Sequence, residues 1–316
     1  MIYLKIRGRA GNQLFQFATV KNFQVKYFPN EEIGVDFSDL KRLGREEDGF
    51  KDSLQDFKVG EYKTVNKIKV NVWQKILIFS MKIPNAFLRL IGFKDKADII
   101  SYKFEQWIQP FINKFGVYYM IHGFYEFKPC KSKNKIFYGN FESADYFNDN
   151  EELIKEIYTP KENLIEKNSD LYNTITNTNS ICITIRRGDF VTNSEFRKVH
   201  FICDSKYFYK AVEIMKEKVE NPTFIVFSDD INWVKENMDF GVPTYYEDGT
   251  DPIWEKLRLM YSCKNFIISN STFSWWAQYL SRNKNKVVIA PTKWKNQAYK
   301  KDTSKLDIFQ DFWIRI

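Results

Sequence analysis

The sequence predicts an α/β protein whose parallel sheets carry helices on both faces. Two observations predict this. From Ser180 onward, strand-like and helix-like runs alternate without a break. The N-terminus opens on the same unit: a strand, a glycine-containing turn and a helical pattern. The length, 316 residues, suits two domains better than one.

In order, "IYLKI" reads as a strand, "RGRAGNQ" as a tight loop, and the run from Leu14 as a long helix. "IGVDF" (Ile33–Phe37) is a second strand. The stretch from Arg42 to Lys114 reads as irregular and charged, with helical patches. Strands return at "VYYMIHGF" and "KIFYGNF". The polar run Asn168–Ser180 marks a boundary, so the expected domains are 1–168 and 169–316.

The second half is more regular. "SICITI", "TFIVF", "PTYYED", "NFIIS" and "KVVIA" are strands. Between them lie helices at "SKYFYKAVEIMKEKV", "NWVKENM", "PIWEKLRLMYSC" and "FSWWAQYLSR". Phe208, Val212, Met215 and Val219 share one helical face, and Ile253, Leu257 and Met260 another.

Composition narrows the function. A hydrophobic share of 44% with 28% charged residues fits a globular protein. The net charge of +8 admits an anionic partner, whether nucleotide, nucleic acid or phospholipid surface. The lysines are spaced by acids, however, and no nucleic-acid-binding module is visible, so no nucleic-acid partner is expected. Four cysteines without a CxxC pair and only two histidines predict free thiols and no structural zinc. The start of the chain does not read as a signal peptide. The greasiest stretch, Trp73–Phe93, is interrupted by Lys75, Lys82, Pro84 and Arg89, so no transmembrane segment is expected. It reads as an amphipathic segment packed on the core, with room for a peripheral membrane contact.

The chemistry-bearing residues follow strands. Only 11 of the 48 basic residues are arginine, yet Arg186 and Arg187 stand together at a strand end. Such a pair either grips a planar anion through its fork of donors or pairs with a nearby acid such as Asp189. Asp189 itself could orient an arginine, cap a turn or act as a base. Ser228, Asp229 and Asp230 end the next strand. One aspartate reads as a helix cap; the other could accept from two donors of guanine. Asn270, Ser271, Thr272 and Ser274 sit at a predicted helix N-terminus, which suits phosphate or an ordinary cap. Gly8, Gly11, Asn12 and Gln13 form a glycine loop that is neither GxGxxG nor a P-loop. No Asp-x-Asp or HExxH is present, so no metal is demanded. In a doubly wound sheet, "RRGD", "SDD", "NSTFS" and "PTKW" would share the carboxyl edge, where ligands bind.

"GRAGNQLFQFA", "IRRGD", "FSDDINWVKEN" and "IISNSTFSWWAQYL" occur in that order over nearly the whole chain. Together they resemble glycosyltransferase family 11, the α-1,2-fucosyltransferases. The resemblance implies a GT-B-like fold of two Rossmann-like domains facing across a cleft, 1–168 on the acceptor side and 169–316 binding the donor. It implies inverting, metal-independent transfer of L-fucose from GDP-L-fucose to the 2-hydroxyl of a galactose-terminated glycan, with no cofactor. It maps a β-phosphate contact to Arg186, a guanine contact to Asp229 or Asp230, and donor or acceptor contacts to Gly11, Asn12 and Gln13. Arg186, Arg187 and the Asn270–Ser274 helix end would take the place of a metal ion. Asp189 and Asp204 are the candidate bases, although Asp204 also precedes a helix and suits a cap. A bacterial cytoplasmic enzyme is expected. One departure stands out: where the family pattern reads His-x-Arg-Arg-x-Asp, this chain has Thr184.

Overall fold

The computed structural model describes residues 1–42, 50–90, 92, 94–295 and 308–316. The chain divides into two compact units. The first is built mainly from Met1–Gln55 and Val59–Ile157, the second mainly from Tyr158–Gln297 and Gln310–Ile316.

The first unit runs β1 (Ile2–Lys5), α1 (Ala10–Tyr27), β2 (Ile33–Asp36), α2 (Ser38–Arg42), β3 (Lys63–Thr64), α3 (Val72–Leu90), α4 (Lys94–Ile112), β4 (Val117–Met120), β5 (Lys135–Gly139) and α5 (Glu151–Ile157). Its sheet has the order β3-β2-β1-β5-β4, and every pair is parallel. Parallel strands buried on both faces explain why β1, β2, β4 and β5 are nearly all buried. The aromatic residues here serve as core. Tyr118 stacks on Phe137 with centroids 4.5 Å apart, and Phe23, Phe127 and Phe141 close around them.

Two readings of the sequence change in this unit. The helix α1 begins at Ala10, so Gly11, Asn12 and Gln13 form its first turn rather than a loop. The turn itself tightens at Gly8, whose φ of 79° suits glycine. The stretch taken as irregular holds two helices of 19 residues each, α3 and α4. Pro84 and Pro110 inside them broke the expected pattern. Positions 43–49, 91 and 93 of that stretch lie outside the described residues.

The second unit runs α6 (Ser169–Asn177), β6 (Asn179–Ile185), α7 (Gly188–Thr192), α8 (Ser194–His200), α9 (Ser205–Lys218), β7 (Pro222–Ser228), α10 (Ile231–Asn237), β8 (Thr244–Tyr246), α11 (Ile253–Ser262), β9 (Asn265–Ile267), α12 (Thr272–Leu280), β10 (Val288–Ala290) and β11 (Ile314–Arg315). The strand order is β11-β10-β9-β6-β7-β8, again all parallel. Numbered within the unit, this is the 3-2-1-4-5-6 order of a Rossmann sheet, with its switch point between β6 and β9. The strands predicted in this half are all present. Two Rossmann-like α/β units are what the expected GT-B class requires.

The core of the second unit follows the predicted faces. Ile181, Ile183 and Ile185 of β6 pack with Phe208, Val212 and Met215 of α9. Burying each such side chain stabilises by about 1.5–3 kcal/mol. Trp275 and Trp276 of α12 are fully buried. The four cysteines are free thiols.

Gly139 makes a test of the first sheet. It pairs with Met120, and a Cβ there would run into the Met120 carbonyl group. Gly139→Ala must therefore push β4 from β5. It should destabilise the protein by at least ~2 kcal/mol, measured as a lowered urea midpoint; an unchanged midpoint would contradict this packing.

Candidate active site

Every parallel strand of the second unit points its carboxyl end to one edge, so the motifs after β6, β7, β9 and β10 share that rim. The pairing of Ile185 with Ser228 sets the ends of β6 and β7 level. Arg186 and Arg187 therefore stand directly beside Asp229 and Asp230.

The two motifs interlock through charge. The Arg186 guanidinium lies between two carboxylates, with Nη2 2.7 Å from Asp189 Oδ1 and Nη1 2.8 Å from Asp229 Oδ2. The Arg187 backbone N–H donates to the other oxygen of Asp229 at 2.8 Å. Its side-chain Nε donates to Asp230 at 3.1 Å. The same guanidinium lies 3.2 Å from the centre of the Trp233 ring, a cation–π contact. Gly188 has no Cβ for a reason: one there would strike the Asp229 carboxylate. Thus the arginine pair does make ion pairs with acids, and the acids belong to both motifs.

Asp230 occupies the N-cap position of α10, but its side chain makes no cap hydrogen bond. Arg187 draws the carboxylate away instead. The Asp230 N–H donates to Ser228 Oγ at 3.0 Å. Asp204, by contrast, is a working cap: it accepts from the Tyr207 N–H at 3.0 Å and starts α9.

Behind the arginines, a buried polar seam joins β6 to β9. Thr184 Oγ1 accepts from the Ser269 N–H at 3.1 Å. The Ser269 and Ser274 hydroxyls are 3.2 Å apart. Thr184 thus fills the histidine position of the motif with a short hydroxyl that ties the two central strands. Asn270 is 4% exposed, and its amide donates to the carbonyls of His200 and Trp294 at 2.9 and 3.1 Å. It pins loops together. Ser271 takes the N-cap position of α12 without a side-chain cap bond. Ser271 and Thr272 are half-exposed, while Ser274 is buried.

Some members of this rim escaped sequence reasoning. Trp233 sits four residues after Asp229, where a helix brings it back over the rim. Phe190 lies 5.5 Å from the Arg186 guanidinium and stacks on His200 at 5.1 Å. Burial, reinforced by the charge of Lys295, pushes His200 down to about 4. Its imidazole is therefore neutral near pH 7 and adds no charge to the rim.

In the first unit, Gly11 and Gln13 are buried and Asn12 is half-exposed. The Gln13 amide donates to the carbonyls of Gly8 and Lys51 and accepts from the Ser53 N–H. It is an internal brace, and of the three residues only Asn12 keeps a side chain toward solvent, donating to Glu142 at 3.2 Å. His122, after β4, lies 3.3 Å from the buried carboxylate of Glu105. That carboxylate also accepts from the Ile121 and His122 N–H groups.

The second unit holds two other features, after β8 and after β10. Glu247, Asp248 and Asp251 place carboxylate oxygens within 4.8 Å of one another, the one such grouping among the described residues that could hold a metal ion. Lys167 already meets that charge, 2.9 Å from Asp248 and 2.9 Å from Asp251. These bonds hold the Asp248 carboxyl well below its usual range. A cavity of about 360 Å³ lies beside β10, lined by residues that include Tyr207, Lys206, Lys210 and Lys293.

Comparison with known proteins bears on this geometry. An Escherichia coli α-1,2-colitosyltransferase is 29% identical over 322 aligned residues, covering 100% of this chain and 99% of that one. Human galactoside α-(1,2)-fucosyltransferase 1 is 32% identical over 102 residues, covering 31% of this chain and 28% of that protein. A crystal structure of NodZ α-1,6-fucosyltransferase with GDP superposes with a TM-score of 0.49 at 11% identity, over 88% of this chain and 91% of that one. The family model of glycosyl transferase family 11 matches residues 1–316. With the family's motif residues gathered on the rim of a Rossmann sheet and the family model matched from end to end, the chain belongs to glycosyl transferase family 11.

Proposed function

We propose that the protein transfers L-fucose from GDP-L-fucose to the 2-hydroxyl of a galactose in a glycan acceptor, with inversion and without a metal ion. The observation that carries this reading is the interlock of "RRGD" with "SDD" across the carboxyl ends of β6 and β7, beside the switch point of the second sheet, in a chain of this family.

The chemistry follows from where charge develops. As the fucosyl bond breaks, negative charge gathers on the β-phosphate, and groups already aimed there lower the barrier most. Arg186 suits that task. Two carboxylates fix its plane. They engage two of the five N–H donors of a guanidinium, which leaves three for a phosphate. The backbone N–H groups at the start of α12 add a second source of positive potential. In this reading Asp189 positions Arg186 rather than taking a proton, because its carboxylate is paired with the cation it orients.

Of the two rim aspartates, Asp230 is the better reader of guanine. Asp229 is engaged through both oxygens by Arg186 and the Arg187 N–H. Asp230 is bonded through one oxygen only and its side chain is 42% exposed. The relative aligned over the whole chain favours a second reading of the donor sugar. It is named for colitose, which is fucose without its 3-hydroxyl.

Incubation with GDP-fucose, or with GDP-colitose, against a panel of galactosides in excess EDTA tests the proposal directly. Turnover with GDP-fucose and an α-1,2 linkage in the product is the expected result. Turnover that appears only with added Mg²⁺ or Mn²⁺ would defeat the metal-free mechanism, and preference for GDP-colitose would select the second donor.

Arg186→Lys keeps the charge but loses the planar fork. The turnover rate should fall at least ~100-fold, as for loss of one donor to a developing oxyanion. Near-normal rates in the folded variant would make the pair structural only.

Calorimetry with GDP and ADP separates the two aspartates. The wild type should prefer GDP, by up to ~10⁴-fold for a site built on paired hydrogen bonds. Asp230→Ala should narrow that gap, whereas Asp229→Ala should weaken both nucleotides by freeing the arginines. Equal binding of GDP and ADP to the wild type would remove the guanine assignment.

A further inference from the structure

The outer face of α3 is apolar where a surface helix is ordinarily polar. Val72, Ile76, Phe79, Ile83, Phe87 and Leu90 are all at least half exposed. At 3.6 residues per turn they fall within roughly 80° of arc, one stripe along the whole helix. Phe79 is 68% exposed and Leu90 83%. Trp73, 67% exposed, lies at the margin. The helix α4, packed beside α3, adds exposed Trp107, at 74%, with Ile100 and Phe111. An exposed apolar stripe of this length on a folded protein marks an interaction surface.

The stripe is not the face that holds the helix in place. The opposite side of α3 already packs inward. Met81 is buried in a cluster with Ile112, Val117, Tyr119 and Tyr138, joined by Leu77 and Ile78. The Gln74 amide donates to the carbonyls of Phe115 and Asn134 at 2.8 and 2.9 Å. The sequence led to an expectation of one apolar face packed on the core; the helix has two, and only one is covered among the described residues.

Charge identifies the partner. In α3, Lys75, Lys82 and Arg89 recur every seven residues, and there is no acidic residue. Lys75 and Lys82 are exposed, and Lys82 places its ammonium 4.5 Å from the Tyr138 ring centre. A basic row beside a stripe bearing Phe and Leu, with Trp at its margin, fits the interface of an anionic bilayer. Tryptophan favours that headgroup level. A second copy packed α3 against α3 would bring together two helices that carry basic residues and no acid. The chain as a whole carries +8.

We propose that the α3–α4 hairpin docks the protein on an anionic phospholipid surface, with the α3 stripe entering the interface and Lys75 and Lys82 meeting lipid phosphates. This goes beyond the proposed transfer reaction and does not depend on its donor or acceptor.

Co-sedimentation of the full-length protein with vesicles tests it. Vesicles of phosphatidylcholine mixed with phosphatidylglycerol should bind the protein, phosphatidylcholine alone should bind it more weakly, and added salt should reduce the difference. Phe79→Ser combined with Phe87→Ser should lower partitioning by at least ~100-fold. Lys75→Gln combined with Lys82→Gln should lower it ~30-fold, at about 1 kcal/mol per cation near the surface. Both double variants should keep the far-UV spectrum and thermal midpoint of the wild type. Failure of the wild type to bind the mixed vesicles would overturn the proposal. So would unchanged binding by the phenylalanine variant. Equal binding to both vesicle types would overturn the choice of an anionic surface. Concentration-dependent dimers that the phenylalanine variant abolishes, without vesicle binding, would assign the face to a second copy instead.

Discussion

The Asp229 carboxylate organises the carboxyl edge of the second sheet. One oxygen accepts the Arg187 N–H and the other pairs with the Arg186 guanidinium. A single side chain from β7 thereby holds both the path and the charge of the loop after β6. Hydrogen bonds to a charged group are each worth about 1.5–3 kcal/mol. The level register of β6 and β7 makes this reach possible. Gly188 makes it tolerable, because any side chain there would displace the carboxylate.

The Thr184–Ser269–Ser274 seam supports the same edge from beneath. Buried hydroxyls and N–H groups must find partners, and these find one another across β6, β9 and α12. Thr184 is short enough to do this without reaching the rim. The seam fixes where α12 begins, and so where the backbone N–H groups of its first turn stand. Trp275 and Trp276, buried on the same helix, anchor it by apolar contact. Polar and apolar burial therefore position one helix end together.

The first unit divides its labour differently. Its glycine turn is built for packing: Gln13 braces the turn to the Lys51–Ser53 segment, and of Gly11, Asn12 and Gln13 only Asn12 is half-exposed. Its long helices cover the edge strand β4 with one face and, among the described residues, leave another exposed. The basic row along α3 is the ground on which an anionic surface is proposed to meet it.

The sequence by itself determined β6 to β10 and α9 to α12 of the second unit, the apolar faces of α9 and α11, and the edge on which the motifs lie. These follow from short-range facts: period, strand composition, and the rule that parallel strands end on one side. The α3–α4 region was read poorly because two prolines sit within helices that tertiary packing maintains. Only the tertiary structure decided which partner each rim residue takes. Arg187 and Asp229 are 42 residues apart in sequence, and nothing local distinguishes an aspartate that caps a helix from one drawn to an arginine. The same holds for Gln13, whose side-chain partners at Gly8, Lys51 and Ser53 the motif does not reveal. Periodicity reports which face of an element is apolar; only the packed neighbours report whether that face is covered.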